Sequence, residues 1–382
     1  MKIAQVCPYD IYQPGGVQTH IRDLSFALKQ AGHDVRIIAP GDADNNCDSE
    51  GVFHAGKKRR LNFNKTNFEI SITLGQEYRR LKQYLLREQF DIIHYHTIWT
   101  PLLPFQILRL SNAADVATFH DTPPDTFSGK ITRSVFRAIS RRLLPRLDGV
   151  IAVSSSPAGH LAPVPNRQPN ILPPSADFST FFKRADIFNE YHDECVNILF
   201  LGRLEDRKGI MVLMEAFAKL CEAGKRVRLL VAGDGEQKQE VLDFIDRHKL
   251  KNVELLGRIK EEDKASWYAT CDIFCSPAKY GESFGIVLVE AMASGKAVVA
   301  AANNGYRTVL QERGAEFLTP PGDVDTLYEK LSLLIERPEL CKELGEWGCQ
   351  EARKYDISNL VPKFEAIYES AIIERSKRVR IE

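Results

Sequence analysis

Short, nearly uncharged apolar runs alternate along this chain with longer amphipathic stretches. The runs at residues 3–6, 35–39, 91–94, 115–119 and 149–153 read as strands buried on both faces, because apolar residues follow one another with few polar interruptions. Between them, apolar positions recur at helical spacing over residues 17–31, 73–89 and 130–144. The rhythm resumes with runs at 196–201, 228–232, 253–256, 272–277 and 297–301, and with a helix expected over 210–222. Strands and helices in turn imply βαβ units, and so an α/β fold around parallel sheets.

Three stretches interrupt the rhythm. Residues 41–70 are polar and are expected to be irregular. Five prolines fall between residues 163 and 174, and residues 181–194 are polar and charged, which places a domain junction there. From about residue 323 the chain turns helical, and in the segment 357–377 the side chains of Leu360, Phe364, Ile367 and Tyr368 share one face. The expected division is a domain over 1–175 and a second over 176–356.

Composition adds limits. A chain of 382 residues is too long for one ordinary domain, and 44% hydrophobic with 27% charged residues is the make-up of a soluble globular protein. No uncharged apolar run approaches the roughly 20 residues of a membrane span. The sequence opens directly on a strand, so no secretory leader is expected. The eight cysteines form no CxxC pair and are expected to be free thiols in a reducing cytoplasm. Net charge is zero but unevenly spread: residues 1–175 hold 21 Lys and Arg against 15 Asp and Glu, and the remainder holds 30 against 36. The basic excess gathers at Lys57-Lys58-Arg59-Arg60, at Arg79, Arg80, Lys82 and Arg87, and at Lys130, Arg133, Arg137 and Arg141. Such stripes are either solvated faces or surfaces for anionic lipid heads or an anionic acceptor.

Candidate chemistry sits where strands end. Gly281-Glu282-Ser283-Phe284-Gly285-Ile286-Val287-Leu288-Val289-Glu290 follows the apolar run 272–277 and leads into good helix formers that stop at Ser294-Gly295. Ser283 is expected to cap this helix, leaving its first amides to face the strand end, where open α/β sheets bind anions. Glu282 and Glu290 bracket that place. A second strand-end loop, Gly202-Arg203-Leu204-Glu205-Asp206-Arg207-Lys208-Gly209, carries two cations, Arg203 and Lys208, able to stabilise charge developing on a departing diphosphate. A third, Pro14-Gly15-Gly16-Val17, lets backbone approach a bound group. His120 ends the run 115–119 and is expected to matter more than His94 or His96, which fall nearer mid-strand. Each signal also has an inert reading: a packed helix with incidental glutamates, an exposed basic turn, a plain glycine turn.

Taken together, these residues resemble the retaining glycosyltransferases of family 4. A loop glutamate, Phe284-Gly285, an apolar helix start and Glu290 eight residues after Glu282 resemble the family's nucleotide-sugar motif. Gly202-Arg203 with Arg207-Lys208-Gly209 resembles its diphosphate clamp. The resemblance covers nearly the whole chain and is closest to bacterial phosphatidylinositol mannosyltransferases, carried by Cys7-Pro8-Tyr9 and Pro14-Gly15-Gly16-Val17-Gln18-Thr19-His20. One departure is Pro173-Pro174-Ser175-Ala176-Asp177, where relatives usually carry Pro-Asn-Gly-Val-Asp.

The resemblance implies a GT-B fold, two Rossmann-like domains with parallel sheets facing a central cleft. The acceptor would bind the first domain and the nucleotide sugar the second, with the last helix, about 357–382, returning to the first. It implies catalytic roles for His120, Glu282, Arg203 and Lys208. Glu290 would hold the ribose hydroxyls and Arg258-Ile259 the base. Gly15, Gly16, Gln18, Phe284, Gly285, Ile286 and Val287 would line the donor. The implied reaction moves a hexosyl unit from a UDP- or GDP-hexose to an acceptor hydroxyl, of a glycan or a lipid-linked acceptor, with retention. No carboxylate is obviously placed as a nucleophile, so front-face departure of the diphosphate is favoured. No cofactor, metal or nucleic-acid partner is expected. Asp42-Ala43-Asp44 and Asp323-Val324-Asp325 read as solvated loops rather than metal ligands. The expected location is cytoplasmic, with peripheral binding to an anionic membrane surface open. A nucleotide-sugar 2-epimerase and a non-catalytic sugar-nucleotide sensor remain as rivals.

Overall fold

The computed structural model describes residues 1–13, 15–41, 51–63, 66–98, 102–120, 127–165, 168–174, 176–183 and 185–379. The chain divides into two compact units, residues 1–176 with 357–382, and residues 177–356.

The first unit is built on a parallel sheet of seven strands. From edge to edge they run Val52–His54, Asp34–Ala39, Lys2–Val6, Ile92–His96, Ala114–Phe119, Gly149–Ala152 and Asn170–Ile171. Its central strands are buried on both faces, as their unbroken apolar runs require. The order reverses between Lys2–Val6 and Ile92–His96, so this is a doubly wound sheet with its switch point there. Helix Ile357–Val379 lays Leu360, Phe364, Tyr368 and Ala371 against Ile3, Leu24, Leu28, Ile92, Val116 and Ile151. That apolar seam is why a segment far along the sequence belongs to the first unit.

The second unit repeats the plan with six parallel strands: Val253–Gly257, Val227–Ala232, Val196–Leu201, Ile273–Ser276, Ala297–Ala301 and Leu318–Thr319. Its switch point falls between Val196–Leu201 and Ile273–Ser276. The core packs Phe200, Leu229, Val231 and Val299 against Leu213, Met214 and Phe217 of helix Ile210–Glu222 and Leu327, Leu331 and Leu334 of helix Val324–Glu336.

Two expectations need correction. Residues 41–70 are not irregular where they are described. Val52–His54 pairs in parallel with Asp34–Ala39, and Lys57–Phe63 forms an antiparallel ribbon with Thr66–Ile72. A ribbon fixed by its own cross-strand bonds needs no apolar alternation, so periodicity could not announce it. The side chains of Lys57, Lys58, Arg59 and Arg60 lie outside the described residues, as do Pro14, Ser175 and the Asp42-Ala43-Asp44 pattern. The second correction concerns Ser283. Helix Ile286–Ala293 begins after Gly285, so Gly285, at φ 110°, and not Ser283, occupies the cap position.

Among the described residues no helix is long and apolar enough to cross a membrane. Seven described cysteines are free. Asp323 caps helix Val324–Glu336 by accepting from the Thr326 amide at 3.0 Å, and Asp325 pairs with Lys219, which gives this Asp-x-Asp pattern a structural use.

Candidate functional site

The switch point of the second unit gathers two strand-end loops. Gly209, at φ 73°, lets the first loop pass so close to the second that a Cβ there would lie 2.1 Å from the Pro277 carbonyl oxygen. The Lys279 amide donates to the Arg207 carbonyl at 2.7 Å and joins them further. Across this seam Lys208 Nζ lies 2.7 Å and Arg207 Nη1 3.0 Å from the same oxygen, Oε1 of Glu282. Lys208 and Glu282 are 17% and 12% exposed. Arg203 is different. Its side chain is 70% exposed, with Glu205 at 3.5 Å. So the two expected cations do not form a matched pair: Lys208 is seated, Arg203 reaches into solvent. Arg207, part of the clamp motif but not one of the two cations singled out in it, shares the Glu282 oxygen.

A third loop completes the edge. Asn303 Nδ2 donates to the Ala278 carbonyl, and Asn303 Oδ1 accepts from the Tyr306 amide, each at 2.9 Å. Tyr306 is fully buried and shares a 2.7 Å hydrogen bond with Ser276. Gly285 stands against its ring, where a Cβ would come within 2.5 Å. The amides of Ile286 and Val287 open the helix at this edge. Phe284 itself is buried, its ring edge-on to Tyr355 at 5.3 Å, so only its main chain is available to a ligand.

Glu290 is buried in the same helix. It accepts from the Tyr268 hydroxyl at 2.8 Å and from Lys264 Nζ at 3.2 Å. Burial pushes its carboxyl up from the ordinary range, and Lys264 and Tyr268 pull against that. Burial also works against the Lys264 ammonium, but Glu290 and Glu261 outweigh it and its pKa ends above the usual lysine value. Neither Tyr268 nor Lys264 stood out in the sequence, since a lysine and a tyrosine four residues apart mark any helix surface. Arg258 is exposed beside Asp234, and Ile259 is half-buried after strand Val253–Gly257.

In the first unit, Gly15 holds the cap position of helix Gly16–Gln30 and Gly16 is its first residue. A Cβ on Gly15 would meet Oε1 of the buried Gln18 at 2.4 Å, whereas Gly16 faces open space. His120 follows strand Ala114–Phe119 and is 8% exposed. Its Nε2 lies 3.2 Å from His96 Nδ1, and the His20 ring stands edge-on to both at 5.1 Å. His94 and His96 are therefore part of the same buried group as His120 rather than bystanders. Burial, followed by neighbouring imidazoles, holds His94, His96 and His120 well below the ordinary histidine value. The donor atoms of His20, His96 and His120 gather within 4.8 Å, a set chemically able to take a borderline metal ion. As it stands, the His96–His120 contact is a hydrogen bond.

A doubly wound sheet in each unit, with a carboxylate and two cations at a switch point, is the arrangement in which open α/β sheets hold anionic ligands. Residues 14–179 match the family described as Glycosyltransferase Family 4, and residues 183–350 match Glycosyl transferases group 1. The chain is 30% identical to the phosphatidyl-myo-inositol mannosyltransferase of Mycobacterium leprae over 99% of both chains. It is 31% identical to that of Mycolicibacterium smegmatis, over 97% of this chain and 94% of the relative. Among solved structures, sucrose-phosphate synthase from Thermosynechococcus elongatus superposes with a TM-score of 0.75 at 20% identity, covering 96% of this chain and 98% of that one. Anabaena HepE, solved with UDP and glucose, gives 0.75 at 18% identity over 97% and 100%. The fold is GT-B. The chain belongs to glycosyltransferase family 4 and is a hexosyltransferase.

Proposed function

We propose that the protein transfers a hexosyl unit from a nucleoside diphosphate sugar to an acceptor hydroxyl, retaining the anomeric configuration. The observation that carries this reading is the meeting of Lys208, Arg207 and Glu282 on one oxygen at a switch point. In bond terms, the anomeric carbon–phosphate oxygen bond breaks as the acceptor oxygen bonds to the same carbon from the same face. The leaving diphosphate gains the negative charge and takes the acceptor's proton. Lys208 and Arg203 are assigned to that charge, where fixed cations act most strongly. A bound donor presents hydroxyls to Glu282, which then accepts from the sugar as well as from the cations. Glu290 is assigned to the ribose diol and His120 to the transferred sugar.

The acceptor is proposed to be a lipid-borne hydroxyl at an anionic membrane surface. Full-length similarity to phosphatidyl-myo-inositol mannosyltransferases supports this, as does the basic face of the first unit. Arg79, Lys82 and Arg87 on helix Gly75–Glu88 are exposed, as are Arg137, Arg141 and Arg142 on helix Phe127–Leu143.

The deciding experiment is a panel of UDP- and GDP-hexoses, scored first by thermal stabilisation and then by product analysis. A true donor at 100 times its Kd adds about 2.7 kcal/mol. Transfer with an α-linked product from an α-donor supports the proposal. An epimerised nucleotide sugar formed without acceptor would identify the epimerase instead, and binding without turnover would identify a sensor.

A further inference from the structure

The buried histidines of the first unit are strung on one hydrogen-bonded chain, and its direction can be worked out atom by atom. The Gln5 amide nitrogen donates to the Tyr368 hydroxyl at 3.2 Å, and its oxygen lies 2.7 Å from His96 Nε2. With the Gln5 amide turned this way its oxygen can only accept, so His96 Nε2 carries a proton; turning the amide over would reverse the chain. Burial and the surrounding imidazoles keep His96 neutral, so its Nδ1 is a lone pair. That lone pair faces His120 Nε2 at 3.2 Å, which must then carry the proton. His120 is neutral for the same reasons, and the ring atom left to accept is Nδ1.

The other arm agrees. The Tyr368 hydroxyl accepts from Gln5 and has its one proton free for His94 Nδ1 at 2.8 Å, which leaves His94 Nε2 to donate to Thr118 Oγ1 at 2.7 Å. The orientation of the Gln5 amide therefore sets the role of every ring nitrogen in the chain. The first break in regular backbone after strand Ile92–His96 comes at Thr97, a β-branched residue held at φ 50°. Its amide donates to the Thr118 carbonyl at 3.0 Å, which ties the end of the His96 strand to the strand that leads to His120.

We propose that Gln5, His96 and Tyr368 are positioning residues that hold His120 as its Nε2–H tautomer, so that it offers a substrate a neutral acceptor at Nδ1. Tyr368 belongs to helix Ile357–Val379, so the seating of that returning helix sets the protonation pattern of His120. The catalytic consequence rests on the assignment of His120 to the transferred sugar. It makes His120 a partner for a sugar hydroxyl that donates, not for a phosphate oxygen that needs a proton. The tautomer itself does not rest on that assignment.

Histidine-selective nitrogen-15 spectroscopy of the full chain reads the tautomer directly. The expected result is His120 protonated at Nε2 and bare at Nδ1 near neutral pH. Finding Nδ1 protonated would overturn the proposal, with no mutation needed. Tyr368→Phe frees the Gln5 amide to rotate, and Gln5→Met removes it. Each should bring up a second His120 tautomer and lower kcat several-fold, with KM for the donor within about twofold. A single unchanged tautomer in both folded variants would also overturn it. A changed tautomer with unaltered kcat would leave the relay standing and remove His120 from the transferred sugar.

Discussion

Lys208 Nζ rests 2.7 Å from Glu282 Oε1, joining loops that leave adjacent strands on either side of the switch point. The ion pair holds the ammonium at the strand edge where an incoming diphosphate would need it. Lys208→Ala and Arg203→Ala should each lower kcat/KM by about 10²-fold or more, because leaving-group charge goes unstabilised. Steady-state kinetics with the identified donor checks this, and near-normal values in both variants would end the clamp assignment. The Lys208 variant should also bind the nucleoside diphosphate more weakly, since Glu282 loses a counterion and repels the ligand.

Glu290 and Glu282 should separate in calorimetry with the bare nucleoside diphosphate. Glu290→Gln keeps an acceptor for Tyr268 but loses the charge that faces Lys264, and it should weaken nucleotide affinity by roughly tenfold, the value of one charged hydrogen bond. Glu282→Gln and His120→Ala should leave that affinity nearly intact and depress transfer. Unchanged nucleotide affinity in the Glu290 variant would remove its ribose role.

Gly285→Ala combines a backbone at φ 110° with a Cβ 2.5 Å from the Tyr306 ring. The substitution should destabilise the second unit by about 1–3 kcal/mol. A lower urea midpoint with an unchanged m-value is the expected signature. An unaltered midpoint would mean that the loop relaxes freely.

Stability should fall on mild acidification. Below about pH 6.5 the unfolded chain protonates histidines that the fold keeps neutral, so stability drops as pH falls toward their lowered folded values. Asp115 opposes this: burial pushes its carboxyl up to about 7, so its contribution is present at low pH and lost as pH rises through that value. The three histidines set the sign, so stability should be lower at pH 5.5 than at 7.5, and the buried carboxyls that are pushed up, Asp115 and Glu290, moderate the slope. Denaturant titrations at pH 5.5 and 7.5 measure the slope. His96→Gln should flatten it and Asp115→Asn steepen it.

Membrane docking gives a charge-dependent test. The protein should sediment with anionic but not neutral vesicles, and high salt should release it because exposed charges are screened within about 8 Å at physiological strength. Replacing Arg137, Arg141 and Arg142 with serine should weaken the association. Failure to sediment with anionic vesicles at low salt would sink the membrane proposal and leave the transfer chemistry untouched.

Much of the fold was legible because parallel strands buried on both faces must be apolar throughout. Val196–Leu201 and Ala297–Ala301 fall on the runs that announced them. The apolar face of Leu360, Phe364 and Tyr368 was equally plain, although periodicity could not say which sheet would cover it. The ribbon over Lys57–Phe63 and Thr66–Ile72 escaped because local strand pairing leaves no core-facing pattern. Ser283 was misjudged as a cap because Gly285, by adopting a positive φ, delays the helix by two residues.

By itself, the sequence determined two α/β units, their strand-end loops and the residue types those loops carry, since hydrophobic period and glycine placement are local properties. Only tertiary structure decided which of those residues share an atom. Arg207 and Lys208 converge on Glu282 because Gly209 lets two strand ends pack backbone to backbone. His96 was ranked below His120 by position alone, yet the two meet at 3.2 Å because parallel strands Ile92–His96 and Ala114–Phe119 bring their C-terminal ends side by side. Long-range register is set by the burial of whole faces, and no window of sequence contains it.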